Sequence, residues 1–230
     1  IRIPLQVFTQ TLPLLCNSQW MAKSLTSSDV AKKIAKVDPA FKQIIRLAGP
    51  PPSRRASKVE KRFPSIASSI TSQLLATTAA ETIHARVVEV CNGSVTEQSI
   101  IRAGADKLKS AGLNRTKAEA MVELATMSLD GRIQLQRHGR MTDDEIVREV
   151  TAVRGIGPWT AQMYLLFTLA RTDVWPIGDY AVRVGWSILH DLEETISEKD
   201  LKQAGEPFLG MRSAVAWYCW RAVHFSRNEK

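Results

Sequence analysis

Gly155-Ile156-Gly157-Pro158 leaves the chain few ways to fold locally. Two glycines around one apolar residue turn the backbone tightly and let another backbone approach, because neither carries a Cβ. Pro158 then suits the first turn of a helix, where its missing N–H costs nothing. Residues 142–150 before the turn and 158–169 after it both carry helical apolar spacing. The pattern predicts helix, tight hairpin, helix, with Ile156 anchoring the hairpin in the core. Uncapped N–H groups at the mouth of the second helix, with its positive end, suit one phosphate. The GxG pair alone describes a plain inter-helix turn equally well; its two flanking helices make the reading specific.

Helical spacing recurs along the chain. Residues 29–47 place Val30, Ile34, Val37, Phe41, Ile44 and Ile45 at a partly helical period broken at Asp38-Pro39. Pro39 is expected to open a second helix there. Residues 63–90 read as a helix pair, interrupted by the polar run 71–78 and ended by Cys91-Asn92-Gly93. Shorter helices are expected over 99–110, 116–129, 142–150, 158–169, 179–189, 197–204 and 213–225. Thr142, with Glu145 three residues on, is a capping-box start. No alternating strand pattern of useful length occurs, and no internal repeat, so the fold is expected to be all-α. Composition turns polar and helical only after Met21. Residues 1–28 therefore read as a loosely ordered N-terminal extension and 29–230 as the folded domain.

The charge balance narrows the partners. Among 230 residues, 31 are Lys or Arg and 23 are Asp or Glu, a net +8 that favours polyanions, nucleic acid first. Cys16, Cys91 and Cys219 are isolated, and no Cys/His set has zinc or iron–sulfur spacing, so no metal site is expected. Sparse, odd cysteines fit free thiols in a reducing compartment. No apolar run is long enough to span a bilayer, and the weakly apolar start lacks the plan of a signal peptide. The basic cluster Arg54, Arg55, Lys58, Lys61 and Arg62 reads by itself as a solvated face. The four histidines show no ligand spacing, and Trp217, Tyr218 and Trp220 read as packing.

About twenty residues beyond the hairpin stands a lone carboxylate, Asp179, after Val174-Trp175-Pro176-Ile177-Gly178. Asp at a helix entrance is in the first instance an N-cap. Its place one helix after a phosphate-binding turn suggests chemistry on a sugar as well.

Taken together, these segments resemble the helix–hairpin–helix DNA glycosylases, and within them the 3-methyladenine DNA glycosylase II type. The resemblance runs from about residue 38 to residue 221. It rests on the hairpin with Trp159-Thr160-Ala161, the Asp179 turn and Ile70-Thr71-Ser72-Gln73-Leu74-Leu75-Ala76-Thr77-Thr78-Ala79-Ala80. Two further segments also match, Ala111-Gly112-Leu113-Asn114-Arg115-Thr116-Lys117-Ala118 and the run from Arg212 to Arg221. The resemblance implies two helical subdomains flanking a cleft, and a monofunctional glycosylase of base excision repair. Such an enzyme flips an alkylated purine of the 3-methyladenine or 7-methylguanine kind and excises it by hydrolysis, leaving an abasic site.

The implied roles fall on particular residues. Asp179 is the catalytic carboxylate. Trp159, Met163 and Met211 line the base pocket, while Gly155, Ile156, Gly157, Thr160, Gln73 and Leu74 meet DNA. Leu74 matches a wedge that fills the stack where the base has left, although it also continues the apolar stripe of Ile66 and Ile70. Trp159 stands where strand-cleaving relatives carry a lysine for a Schiff base. An electron-rich indole also attracts a cationic purine by about 0.5–2 kcal/mol. Core packing is an open reading for Trp159, and Met163 and Met211 fit ordinary core filling better than a pocket.

The resemblance requires no cofactor and allows a monovalent cation on the hairpin carbonyls. It implies a monomer acting on double-stranded DNA containing damaged bases, with no membrane partner, in the cytoplasm of a prokaryote or the nucleus of a eukaryote. Too few residues precede the matched region for the N-terminal β-rich domain of some members, so the compact form is expected. A glycosylase for oxidised, deaminated or mismatched bases is an alternative, and so is a non-catalytic DNA-binding module.

Overall fold

The computed structural model describes residues 25–73, 75 and 77–228. Residues 1–24, holding most of the expected extension, lie outside the described residues, and so does Leu74, the expected wedge. Among the described residues no strand occurs, and the fold is all-α as the spacing predicts.

The chain opens with α1 (Ser27–Val37) and α2 (Phe41–Ala48). Thr26 and Asp29 close a capping box on α1, satisfying the orphan N–H groups of its first turn. Pro39 does not open α2; it sits in the turn ahead, where Asp38 accepts the Ala40 N–H at 2.9 Å. Next come α3 (Arg62–Ser72), α4 (Thr77–Val90), α5 (Glu97–Ser110) and α6 (Arg115–Leu129). Helix α4 ends as its sequence predicts, with Asn92 and Gly93 both at positive φ. Helix α5 is kinked at Gly104, whose φ of 71° no continuous helix contains.

Then follow α7 (Asp143–Thr151) and α8 (Pro158–Met163), joined by the glycine hairpin. The Thr142–Glu145 capping box is present on α7. The helix expected over 158–169 changes character midway, since α8 runs into a π-helical turn at Tyr164–Thr168. Such turns insert an extra residue and re-aim the side chains after it. The chain closes with α9 (Tyr180–Leu189), α10 (Glu198–Ala204) and α11 (Arg212–Asn228).

Burial divides these helices into two bodies. One core gathers α3 to α8 around Phe63, Ile66, Ile70, Leu108, Met121, Leu124, Ile146 and Val150. The other joins the two ends of the described chain, packing Ile34, Phe41 and Ile44 of α1 and α2 against Val182, Trp186, Phe208 and Val215. Two helical subdomains are therefore present, one built from the middle of the chain and one from its ends. Trp220 packs against both cores, which places it on the seam.

Helices α9 and α11 lie along each other because Gly185 has no side chain. A Cβ built there would stand 2.0 Å from the carbonyl oxygen of Cys219 and 2.8 Å from its Cα. This backbone-to-backbone approach sets the N-terminus of α9 beside the middle of α11. The sequence assigns the histidines no role, and the structure places one of them in the core. His138 is fully buried between the Tyr164 hydroxyl and the Glu149 carboxylate, and burial pushes its pKa down.

Candidate active site

Asp179 is first a helix cap. Its Oδ1 accepts the Val182 N–H at 2.9 Å, satisfying a donor in the first turn of α9. The capping reading is thus correct, but it does not exhaust the residue. Oδ2 accepts the Trp159 indole N–H at 2.6 Å, and Oδ1 also accepts the Trp220 indole N–H at 3.2 Å. Three N–H groups from three elements converge on one carboxylate, which is 7% exposed. The positive end of α9 adds to their field. A buried carboxylate is costly without such donors, so the arrangement holds negative charge in a dry place at a fixed orientation. Cys219, one residue from Trp220, feels it: burial, with the Asp179 charge adding, pushes its thiol pKa up.

Trp159 supplies the aromatic surface beside the carboxylate. It is 39% exposed, so the ring is neither core nor free, and its N–H is committed to Asp179. Trp220, expected only to pack, packs and also donates. Its ring stacks on Phe167 of the π-helical turn, centroids 5.7 Å apart, and the guanidinium of Arg54 lies 4.8 Å from the Phe167 centroid. Arg54, expected to be solvated charge, therefore closes a stack that leads from the surface to Trp220. Nothing local in the sequence marks this, because Trp220 lies 41 residues from Asp179 and its role arises from helix packing.

The two methionines sit deeper. Met211 belongs to the core of the terminal subdomain, and Met163 is buried on α8. Two surface concavities of about 390 and 640 Å³ are lined elsewhere, one between Val184 and Thr195 and one around Arg62, Arg137 and Arg140. Asp179 borders neither.

The hairpin is built as its residues predict. Gly155 has φ +87°, a conformation L side chains rarely adopt. Ile156 is buried and donates its N–H to the Val153 carbonyl at 3.1 Å. Gly157 caps α8 without a side chain, so the first-turn donors of α8 receive no side-chain acceptor there. Gln73, at the end of α3, donates its amide to the Gly155 carbonyl at 3.1 Å and the Thr160 hydroxyl at 3.0 Å. Gln73, Gly155, Ile156, Gly157 and Thr160 are thus brought together, with Trp159 linking them to Asp179. The glycines differ in a testable way. Gly155→Ala is expected to cost roughly 1–2 kcal/mol for its left-handed backbone, with its Cβ 3.3 Å from that of Ala120. Gly157 has φ −93° and open space where a Cβ would go. Gly157→Ala is expected to stay within about 0.5 kcal/mol of the parent in urea denaturation.

Among the described residues, no helix is long and apolar enough to cross a membrane. No group of three or more His, Cys, Asp or Glu among them is placed to hold a metal ion.

With this geometry in place, comparison with known proteins assigns a class. Residues 67–209, which span the hairpin and Asp179, match the family described as HhH-GPD superfamily base excision DNA repair protein, and the chain belongs to that superfamily. The resemblance to helix–hairpin–helix DNA glycosylases read from sequence is thereby borne out. The chain is 26% identical over 201 residues to DNA-3-methyladenine glycosylase 1 of Schizosaccharomyces pombe, covering 86% of this chain and 87% of the relative. Its fold is similar to that of the S. pombe 3-methyladenine DNA glycosylase solved in complex with abasic DNA. There the TM-score is 0.77 at 26% identity, covering 84% of this chain and 95% of the other. It is also similar to a DNA-3-methyladenine glycosidase of Bacillus halodurans, with a TM-score of 0.75 at 28% identity over 87% and 92% of the two chains.

Proposed function

We propose that this chain flips N-alkylated purines out of duplex DNA and hydrolyses their glycosidic bonds, leaving an abasic site. The observation that carries the reading is the carboxylate of Asp179, buried at a helix N-terminus beside the seam residue Trp220 and bonded to a partly exposed indole. The names of the relatives bring 3-methyladenine to the proposal; 7-methylguanine follows from shared chemistry. A purine alkylated at N3 or N7 is cationic, so the electron pair of the breaking C1′–N bond neutralises it and no acid is needed. The sugar becomes oxocarbenium-like. A fixed carboxylate near C1′ stabilises that charge and orients the attacking water, whose proton it takes up.

Trp159 contributes in two ways. It has no amine, so it forms no Schiff base, and the proposed enzyme is monofunctional. Its face attracts a cationic base, and its N–H holds Asp179 until the sugar arrives. Since Oδ2 is engaged by the indole, the sugar approaches as that bond opens. The hairpin, with Gly157 in open space, is the proposed grip on one backbone phosphate of double-stranded DNA. Gly157→Arg fills that space and is expected to weaken binding to damaged and undamaged duplexes alike. Unchanged affinity and salt dependence would reduce the hairpin to a turn. The proposed protein acts as a monomer and requires no cofactor. A monovalent cation on the hairpin carbonyls is compatible with it, since Val153 and Gly155 oxygens each keep a second lone pair.

The test is incubation with methylated duplex DNA, with released bases separated by chromatography and strands examined with and without alkali. Free 3-methyladenine or 7-methylguanine is expected, with breaks only after alkali. Breaks without alkali would contradict a hydrolytic, monofunctional enzyme. Release only of oxidised or deaminated bases would move the proposal to another lesion class.

A further inference from the structure

Lys117 is a lysine in the wrong place for a surface charge. It is 8% exposed, and among the described residues it has no carboxylate partner. Burial pushes its pKa down. Its Nζ donates to the Thr71 carbonyl at 2.8 Å and to the Gln73 carbonyl at 2.6 Å. These oxygens sit at the end of α3, where helix carbonyls lack intrahelical partners and the helix dipole is negative. A buried unpaired cation is an expensive way to satisfy two carbonyls; a neutral amide would do so without the charge.

The reason lies in what Lys117 joins. It stands in the first turn of α6, its own N–H fixed by the Asn114 cap at 2.9 Å. Thr116 and Ala120, on either side of it, are the residues on which Gly155 leans, within 3.4 Å of where a Cβ would stand. One turn of α6 therefore touches both the hairpin and the end of α3. Gln73 closes the loop, since its carbonyl accepts from Lys117 while its amide donates to Gly155 and Thr160.

We propose that Lys117 is a positioning residue that locks the end of α3 onto the glycine hairpin through Gln73, so that both edges of the DNA-facing surface move as one body. The proposal rests on the DNA glycosylase reading. Lys117 itself touches no DNA; it sets the distance between the hairpin, the proposed grip on the backbone, and the end of α3. A fixed distance matters because base flipping is driven by simultaneous contacts, and looseness of about an ångström costs rate rather than affinity.

The experiment measures single-turnover excision from methylated duplex, affinity for undamaged and abasic-analogue duplexes, and the fluorescence of a 2-aminopurine placed as the base to be flipped. Lys117→Met, which keeps the length and removes the donors, is expected to lower the excision rate at least tenfold and suppress the fluorescence rise. Affinity for undamaged duplex and its salt dependence should stay within about twofold, because no phosphate contact is lost. Lys117→Arg is expected to recover part of the rate. Gln73→Ala, which cuts the next link at a partly exposed position, should reproduce the loss of rate while affinity for undamaged duplex holds, which separates a broken link from a lost DNA contact. Leu108→Ala, a core truncation on α5, serves as the stability reference and should leave the rate per folded molecule near that of the parent.

Full excision by Lys117→Met, an equal loss in Leu108→Ala, or a silent Gln73→Ala would each overturn the proposal. Failure of the parent protein to excise methylated purines would instead sink the substrate reading, and the fluorescence comparison would still read Lys117.

Discussion

Asp179→Asn is expected to lower excision by at least about 10²–10³-fold, the range found when one preorganised group facing transition-state charge is removed. The local structure should survive, because an asparagine oxygen caps a helix as well as a carboxylate does. That oxygen would keep the Val182 N–H and the Trp220 indole N–H. The amide nitrogen then faces the Trp159 N–H, donor against donor, and the 2.6 Å hydrogen bond is lost. Trp159 is released and free to stack on a flipped base, so affinity for damaged duplex should hold or improve while turnover fails. Single-turnover kinetics with a binding titration separates the two. Retained turnover would remove Asp179 from the chemistry, and a lower thermal midpoint with lost binding would leave it only a cap.

Gly185→Ala is expected to cost about 3 kcal/mol or more, at the upper end for overpacking. The added methyl would meet the Cys219 carbonyl carbon at 2.5 Å and its oxygen at 2.0 Å. Backbone cannot turn aside as a side chain can, so α9 and α11 must separate. At roughly 2–4 °C per kcal/mol for a chain this size, the midpoint should fall by roughly 6–12 °C. The displacement also draws Trp220 on α11 away from Asp179 on α9. Excision per folded molecule should therefore fall together with stability. An unchanged midpoint would show that the helices do not pack as closely as Gly185 requires.

These two sites show what a sequence carries and what it hides. The hairpin was legible because its information is local: φ at Gly155, the proline at N1 and the helical spacing on either side act within a few residues. The capping box at Thr142 and the breaks after Val37 and Val90 were legible for the same reason. Pro39 misled by two residues, since a proline just before a helix and one inside its first turn look alike. The π-helical turn left no mark in the apolar spacing; its Tyr164, Leu165 and Leu166 lie in the first core.

Asp179 could be read two ways from sequence; the structure shows the cap, and the catalytic role is the proposal. A carboxylate has two oxygens and about four acceptor positions; one oxygen caps α9 while the other meets Trp159. Nothing local singles out Gly185, and Lys117 carried only its place in the segment 111–118 that resembles the family. Met163 and Met211 match pocket positions by resemblance and fit core filling by residue type, and both are buried.

By itself the sequence determined most of the helices, the caps at Thr142 and Asp179 and the hairpin, since these follow from short-range sterics and hydrogen bonding. Only the tertiary structure decided which donors reach Asp179, which glycine lets two helices touch, and which lysine is buried. Those contacts join residues 20 to 46 positions apart, and only the packing of two cores brings them within hydrogen-bonding distance.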